Sequence, residues 1–271
     1  MKLVDIPVLY INLDKDTHRR AFMNENLSKL GYQYFRIKGI LGKKLRNKKY
    51  REFVAKLLEV DQVQLKPQYW LDRHNFKTMV QDEDAIMAKV GCYLSHVLAL
   101  KTAIVNNLPN VMILEDDVLF LQKSKQEVNL PEDTDIFYPG GYFFKQNDDI
   151  LDYKDKIVKI HTDIFKISAA YSYVIPSLHK IKEIYRVLMS VFLIGPAKDK
   201  DPNWRSGLIR LRSQALDFMY VNFYQKYGNT YIANPVMTCI KKFDSNIQDN
   251  RKKYELSSFL NVNQKKSYKL I

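Results

Sequence analysis

The chain has 271 residues, 46% of them hydrophobic, 27% charged and 13% aromatic, a composition that excludes a disordered or low-complexity chain and suits one large α/β domain with a sizeable core. Forty-three Lys and Arg against thirty Asp and Glu leave a formal net charge of +13, which favours an anionic partner: nucleic acid, a phosphorylated small molecule or a membrane surface. Two cysteines, Cys92 and Cys239, are too few for a disulfide framework and form no CxxC pair, so a reducing compartment is expected.

At the N-terminus the apolar stretch is interrupted by Asp5 and Pro7 and is followed by no small-residue cleavage site, so no signal peptide is expected. The continuous apolar run at 8–11 predicts a strand buried on both faces of a parallel sheet. Thr17 reads as an N-cap, with Ala21, Met23, Leu27 and Leu30 at helical spacing and Gly31 as C-cap. A second strand at 34–37 completes a strand-helix-strand unit. Residues 43–89, with a basic run from Lys43 to Arg51 and a helix expected at 52–58, read as a variable insertion in a domain spanning 1–245.

From Val90, the positions Leu94, Val97, Leu98, Ile104 and Val105 mark a core helix ended by Asn106 and Asn107. The run 111–114 predicts a second buried strand, and it leads straight into Glu115, Asp116 and Asp117. Strands are expected at 135–138, before Gly140 and Gly141, and at 169–175. A helix follows over 177–193, a loop at 199–207, a helix at 208–227, and strands at 231–233 and 236–240. The longest remaining apolar run, 187–194, falls short of a bilayer span. The tail 246–271 is basic: from Lys241 onward eight Lys or Arg face three Asp or Glu. Such a tail can dock on an anionic membrane, so a cytoplasmic protein with peripheral contact at the inner membrane face is expected.

The acidic triplet is the most informative feature. Two unit charges ~4 Å apart at an effective dielectric of ~20 repel by about 4 kcal/mol, so three adjacent carboxylates at the end of a buried strand need a compensating charge. Alternation along extended chain predicts Glu115 and Asp117 on one side and Asp116 on the other, giving two carboxylates for a hard divalent cation that carries phosphate oxygens; the alternative is an acidic turn in water, where solvent screens the charges. No GxxxxGK[ST] loop, GxGxxG turn, HExxH or GxSxG elbow is present, which removes P-loop, Rossmann dehydrogenase, zinc hydrolase and α/β-hydrolase readings.

Three blocks in this order, Ile11-Asn12-Leu13-Asp14 with Arg19-Arg20, Gly91-Cys92-Tyr93-Leu94-Ser95-His96, and Ile113-Leu114-Glu115-Asp116-Asp117-Val118, resemble the family 25 glycosyltransferases. That family includes lipooligosaccharide β-galactosyltransferases and collagen hydroxylysine galactosyltransferases. The resemblance implies a GT-A type α/β fold with a mostly parallel central sheet and flanking helices, a UDP-sugar donor and Mn²⁺ or Mg²⁺. It makes the triplet a DxD-type motif in which Asp117, with Glu115, contacts the metal and Asp116 serves the ribose or the loop. Asn12 and Leu13 would shape the nucleoside pocket, Arg19 would neutralise the diphosphate, and His96 would lie near the donor or brace the sheet. Two departures stand out: Lys89 where the family often has an acid, and Asn246 in a late Ser-Asn-Ile.

The implied reaction is an inverting transfer of galactose, or next glucose, to a hydroxyl of a glycan or protein-hydroxylysine acceptor. A carboxylate must then take the acceptor's proton; Asp217 is the first nominee and Asp135 the second. Cys92 reads as a small core residue, and Tyr138, Tyr142, Phe143 and Phe144 as core or as a sugar-stacking platform. The rival readings are a catalytically inactive relative acting as a binding module and a basic nucleic-acid-binding protein. Against the latter, no RNP, KH or helix-turn-helix pattern is present, so no specific nucleic acid is expected.

Overall fold

The computed structural model describes residues 2–59, 83–121, 127–145, 157–163, 165–168, 170–193, 216–234, 236–241 and 243. In chain order the first elements are β1 (Val8–Asn12), α1 (Thr17–Leu30), β2 (Tyr34–Lys38), α2 (Lys48–Leu58), α3 (Glu83–Val105), β3 (Val111–Glu115) and β4 (Val118–Phe120). They are followed by β5 (Ile136–Tyr138), β6 (Tyr142–Lys145), β7 (Ile157–Lys159), β8 (Phe165–Ser168), β9 (Ser172–Ile175) and α4 (Leu178–Leu193). The last are α5 (Leu216–Met219), which runs on as a π-helix over Tyr220–Gln225, then β10 (Thr230–Ala233) and β11 (Thr238–Ile240).

One seven-stranded sheet in the order β2-β1-β3-β9-β5-β10-β7 organises the fold. β1, β2, β3, β5 and β10 run in one direction, and β9 and β7 run against them. The mixed α/β class with a mostly parallel sheet and flanking helices is therefore as expected. Two antiparallel ribbons, β4 with β11 and β6 with β8, stand beside it.

The apolar strands are covered on both sides, as their unbroken runs require. Along β3, Val111 and Ile113 join a core with Leu94, Val97 and Leu98 of α3, whereas Met112 and Leu114 join a second core with Met23 and Leu27 of α1. Over Met87–Val105, α3 is long and apolar enough to cross a membrane, and 67% of that window is buried within the fold, the position of a core helix. Residues 48–58 also reach the first core through Val54, Ala55 and Leu58.

Several boundaries differ from expectation. Thr17 is the first residue of α1 rather than its cap; Asp16 takes the cap position without a side-chain cap bond. The buried stripe of α1 is Arg19, Met23 and Leu27, while Ala21 is exposed, because a buried acid outside the helix holds Arg19 in. Gly31 does end α1, in the left-handed region at φ 80° that glycine adopts without a Cβ penalty. α2 begins four residues earlier than expected, since the Asn47 side chain accepts from Tyr50 N at 3.2 Å and caps it. The expected loop at 199–207 and the tail 246–271 lie outside the described residues.

Gly91 is required by a close approach. A Cβ there would lie 2.5 Å from Ile40 O and 2.6 Å from Gly42 N, where α3 crosses the segment after β2. Gly91→Ala is expected to cost about 1–3 kcal/mol through overpacking, read as a lower denaturation midpoint at unchanged slope. An unchanged midpoint would show that this crossing is loose.

Candidate active site

The parallel strands place their C-terminal ends together, and register brings Ile11 beside Glu115 and Asn12 beside Lys38. Asn12 is the junction. Its Nδ2 donates to Asp116 Oδ2 at 2.7 Å and to Asp16 O at 3.1 Å, and its Oδ1 accepts from Arg36 Nε at 2.9 Å. Arg36 also donates to Asn12 O at 3.2 Å and to Asp14 Oδ1 at 2.7 Å. Asn12 thus braces the strand ends, and its side-chain amide is directed inward.

Arg19 reaches the same point from α1. Its Nη1 donates to Asp116 Oδ1 at 2.8 Å and lies 3.6 Å from Asp117 Oδ2. Both Arg19 and Asp116 are buried, their side chains 7% and 10% exposed. Burial lowers the Arg19 pKa, but Asp116, Asp117 and Asp16 outweigh it and leave the guanidinium more firmly protonated. Burial raises the Asp116 pKa against the opposing pull of Arg19 and Asn12. Arg19 is therefore a buried counter-charge to the acidic turn.

The three carboxylates part differently from strict alternation. Asp116 and Asp117 form the turn between β3 and β4 and both face Arg19. Glu115, still in β3, faces α3, where its Oε1 is 3.6 Å from His96 Nε2 and 4.0 Å from Cys92 Sγ. The alternation argument holds for extended backbone, and the chain leaves the strand at Asp116.

The Gly91-to-His96 block packs this second side. Ser95 Oγ donates to Gly91 O at 2.6 Å and accepts from Ile40 N at 2.8 Å, and Tyr93 Oη donates to Leu188 O at 3.0 Å. His96 is fully buried, with Nδ1 2.9 Å from Tyr173 Oη. Cys92 is half-buried rather than core. Burial first, then the carboxylates of Glu115, Asp217, Asp117 and Asp116, push its thiol pKa well up. Asp217, in the first turn of α5, is thus close enough for its charge to act on the Cys92 thiol. Burial lowers the Lys89 pKa while the neighbouring Asp217 raises it.

Asp135 does not join them. It precedes β5 and so lies at the opposite, N-terminal edge of the sheet. There it accepts from Asn229 N at 2.7 Å and pairs with Lys180 at 2.5 Å. Leu13 follows Asn12, half-buried at the edge. Tyr138 is core at 1% exposure, and the side chains of Tyr142, Phe143 and Phe144 lie outside the described residues.

Sequence reading missed Arg36, Tyr173 and the strap after β11. Lys241 N donates to Asp117 O at 2.7 Å. Beyond it the Phe243 ring lies 5.2 Å from the Arg19 guanidinium and packs edge-on to Phe22. Nothing local in a lysine-rich stretch marks it as a cover for a residue more than two hundred positions away.

Asp117 offers a carboxylate, an oxygen donor of the kind that suits a hard divalent cation, 3.6 Å from the Arg19 guanidinium; around Glu115 the donors are nitrogen, sulfur and oxygen. The architecture is that of an α/β protein with Asn12, Glu115, Asp116 and Asp117 at the carboxyl ends of its parallel strands, where such sheets bind ligands. Residues 5–175 match the model of glycosyltransferase family 25, described as an LPS biosynthesis protein family, and the chain belongs to that family. It is similar to a glycosyltransferase 25 family member of Aedes aegypti, 28% identical over 121 residues. That match takes in 45% of this chain and 18% of the relative, so the chain corresponds to only a small part of the relative's length. A solved glycosyltransferase involved in glycosylation of the major capsid of PBCV-1 aligns over 84% of this chain and 91% of its own, at 10% identity and a TM-score of 0.33.

Asp116→Ala would remove the short-range carboxylate partner of the buried Arg19 charge, an expected cost of about 3–5 kcal/mol. Asp117→Ala should cost clearly less. Urea denaturation of both variants measures this, and equal midpoints would refute the dominance of the Arg19–Asp116 pair.

Proposed function

We propose that this chain is a metal-dependent, inverting hexosyltransferase of GT-A type. It moves galactose, or next glucose, from a UDP-sugar to a hydroxyl of a glycan or protein-hydroxylysine acceptor. The observation that carries this reading is the acidic turn at the carboxyl end of β3, held by Arg19 and Asn12, in a chain of family 25.

Asp117 would hold Mn²⁺ or Mg²⁺, with Glu115 contributing from the α3 side only by turning away from His96 and Cys92. When bound, such a cation offsets the charge that develops on a leaving diphosphate. Arg19 and Asn12 serve this by fixing Asp116 and with it the turn that presents Asp117. Asn12 and Leu13 would border the nucleoside at the end of β1, Asn12 through its bracing bonds. Arg19 adds a buried positive charge behind the carboxylates, which lowers their mutual repulsion and the negative potential met by an incoming diphosphate.

The acceptor's proton goes to Asp217. It lies in the first turn of α5, close enough to Cys92 and Lys89 for its charge to act on both. Asp135, at the far edge of the sheet, serves stability instead by pairing with Lys180 and receiving Asn229 N. Lys89 also keeps a second reading in view, an inactive relative that binds a sugar nucleotide without turnover.

A panel of UDP-sugars with Mn²⁺ or with EDTA, scored by UDP release, tests the assignment. Wild type should turn over one hexose donor in Mn²⁺ and fall to background in EDTA, and Asp117→Ala should be inactive with every donor. Equal turnover by Asp117→Ala and wild type would refute its role, and UDP binding without turnover would select the inactive relative. Asp217→Asn should lower kcat by about 10²- to 10⁴-fold with little change in KM for the donor. A kcat within a fewfold of wild type would remove Asp217 as the base.

A further inference from the structure

We propose that Cys92, His96 and Glu115 form a binding site for a borderline transition-metal cation of the zinc class, separate from the hard cation assigned to Asp117. One donor atom from each residue lies within 4.8 Å of the other two. Cys92 Sγ is 4.0 Å and His96 Nε2 3.6 Å from Glu115 Oε1. With Zn–S near ~2.3 Å and Zn–N or Zn–O near ~2.0–2.1 Å, a tetrahedral site has donor-to-donor edges of about 3.3–3.5 Å. The two measured edges need to contract by only a few tenths of an ångström. At 3.6 Å the His96–Glu115 approach is too long for a hydrogen bond, so a direct bond between the two does not explain the arrangement.

The independent observation is His96 itself. Its side chain is 0% exposed, and Nε2, the nitrogen facing Glu115, makes no hydrogen bond. A buried ring nitrogen left without a partner is costly and needs a reason. Nδ1 has its partner in Tyr173 Oη at 2.9 Å. When Nδ1–H donates to that oxygen, the Nε2 lone pair points into the cluster, which is how an outer hydrogen bond orients a ligating histidine.

The frame is rigid. Cys92 and His96 are one turn apart on the same face of α3, Glu115 ends β3, and Tyr173 lies on the adjoining strand β9. Cys92 and Glu115 are half-buried where His96 is fully buried, so the outer side is open for a fourth ligand such as water or a substrate oxygen. A thiolate and an imidazole favour zinc or cobalt over magnesium or manganese. One thiolate, one carboxylate and one neutral imidazole also neutralise a dication, which suits a partly desolvated place. Binding would release the Cys92 proton that burial and the nearby carboxylates now hold.

The site does not depend on the sugar-transfer reading, and its test uses binding alone. The full chain, stripped with a chelator and desalted, is titrated with Co²⁺ as a spectroscopic stand-in for Zn²⁺. The expected result is a near-ultraviolet thiolate-to-cobalt charge-transfer band that saturates at one Co²⁺ per chain and that Zn²⁺ abolishes. Cys92→Ala and His96→Gln should weaken Co²⁺ binding by at least about a hundredfold, the upper range seen for loss of mere outer partners. Cys239→Ser and Asp117→Asn should keep the band. Zn²⁺ should raise the melting temperature of wild type and leave that of Cys92→Ala unchanged. Should His96→Gln fail to fold through loss of its Tyr173 bond, Cys92→Ala decides the matter. A titration without the band, or a band lost in Cys239→Ser or in Asp117→Asn, would overturn the proposal.

Discussion

The buried pair of Arg19 and Asp116 is the constraint on which the site depends. It joins α1 to the end of β3 across 97 positions, and Asn12 closes the triangle from β1 across 104. Removing two charges from water is costly unless they meet at short range with further hydrogen bonds. Here Asp116 receives Arg19 on one oxygen and Asn12 on the other. Because the pair tolerates so little displacement, the turn that follows β3 has one position relative to the sheet, and Asp117 is presented from a fixed base.

That anchoring divides the acidic triplet into two environments. Asp116 and Asp117 share the Arg19 side, closed by the strap from Lys241 to Phe243, whose ring lies against the guanidinium. Glu115 shares the α3 side with His96 and Cys92. Three neighbouring acids are thus kept from confronting one another across one small volume. The separation also gives each side its own chemistry, carboxylates against a guanidinium on one and nitrogen, sulfur and oxygen donors on the other.

The Gly91-Cys92-Tyr93-Leu94-Ser95-His96 block shows how one helical turn and a half can serve several neighbours. Gly91 admits the backbone of the segment after β2, and Ser95 satisfies Ile40 N there. Tyr93 bonds α4 and Leu94 fills the core. Cys92 and His96 then project toward Glu115. A block that appears in the sequence as a motif is in the fold a meeting of the post-β2 segment, α4, β3 and β9.

Most of the architecture was legible along the chain, because a strand buried on both faces must be apolar throughout and a core helix must repeat its apolar positions every three to four residues. The runs at 8–11 and 111–114, the helix through Leu94 and Val97, and the importance of the residues after β3 follow from such local physics. The early start of α2 was not legible, since one Asn47 cap bond decides it. Nor was the engagement of Arg19, expected at the donor diphosphate, with the buried Asp116. The sequence by itself determined which residues were chemically notable and which strand end they occupied. Only the tertiary structure decided that Asp135 lies at the N-terminal edge of the sheet, beside Lys180 and Asn229, and that Glu115 turns to His96 rather than to Asp117. Strand direction and the point where backbone leaves the strand set those outcomes, and both are fixed by pairing across the sheet rather than by neighbours along the chain.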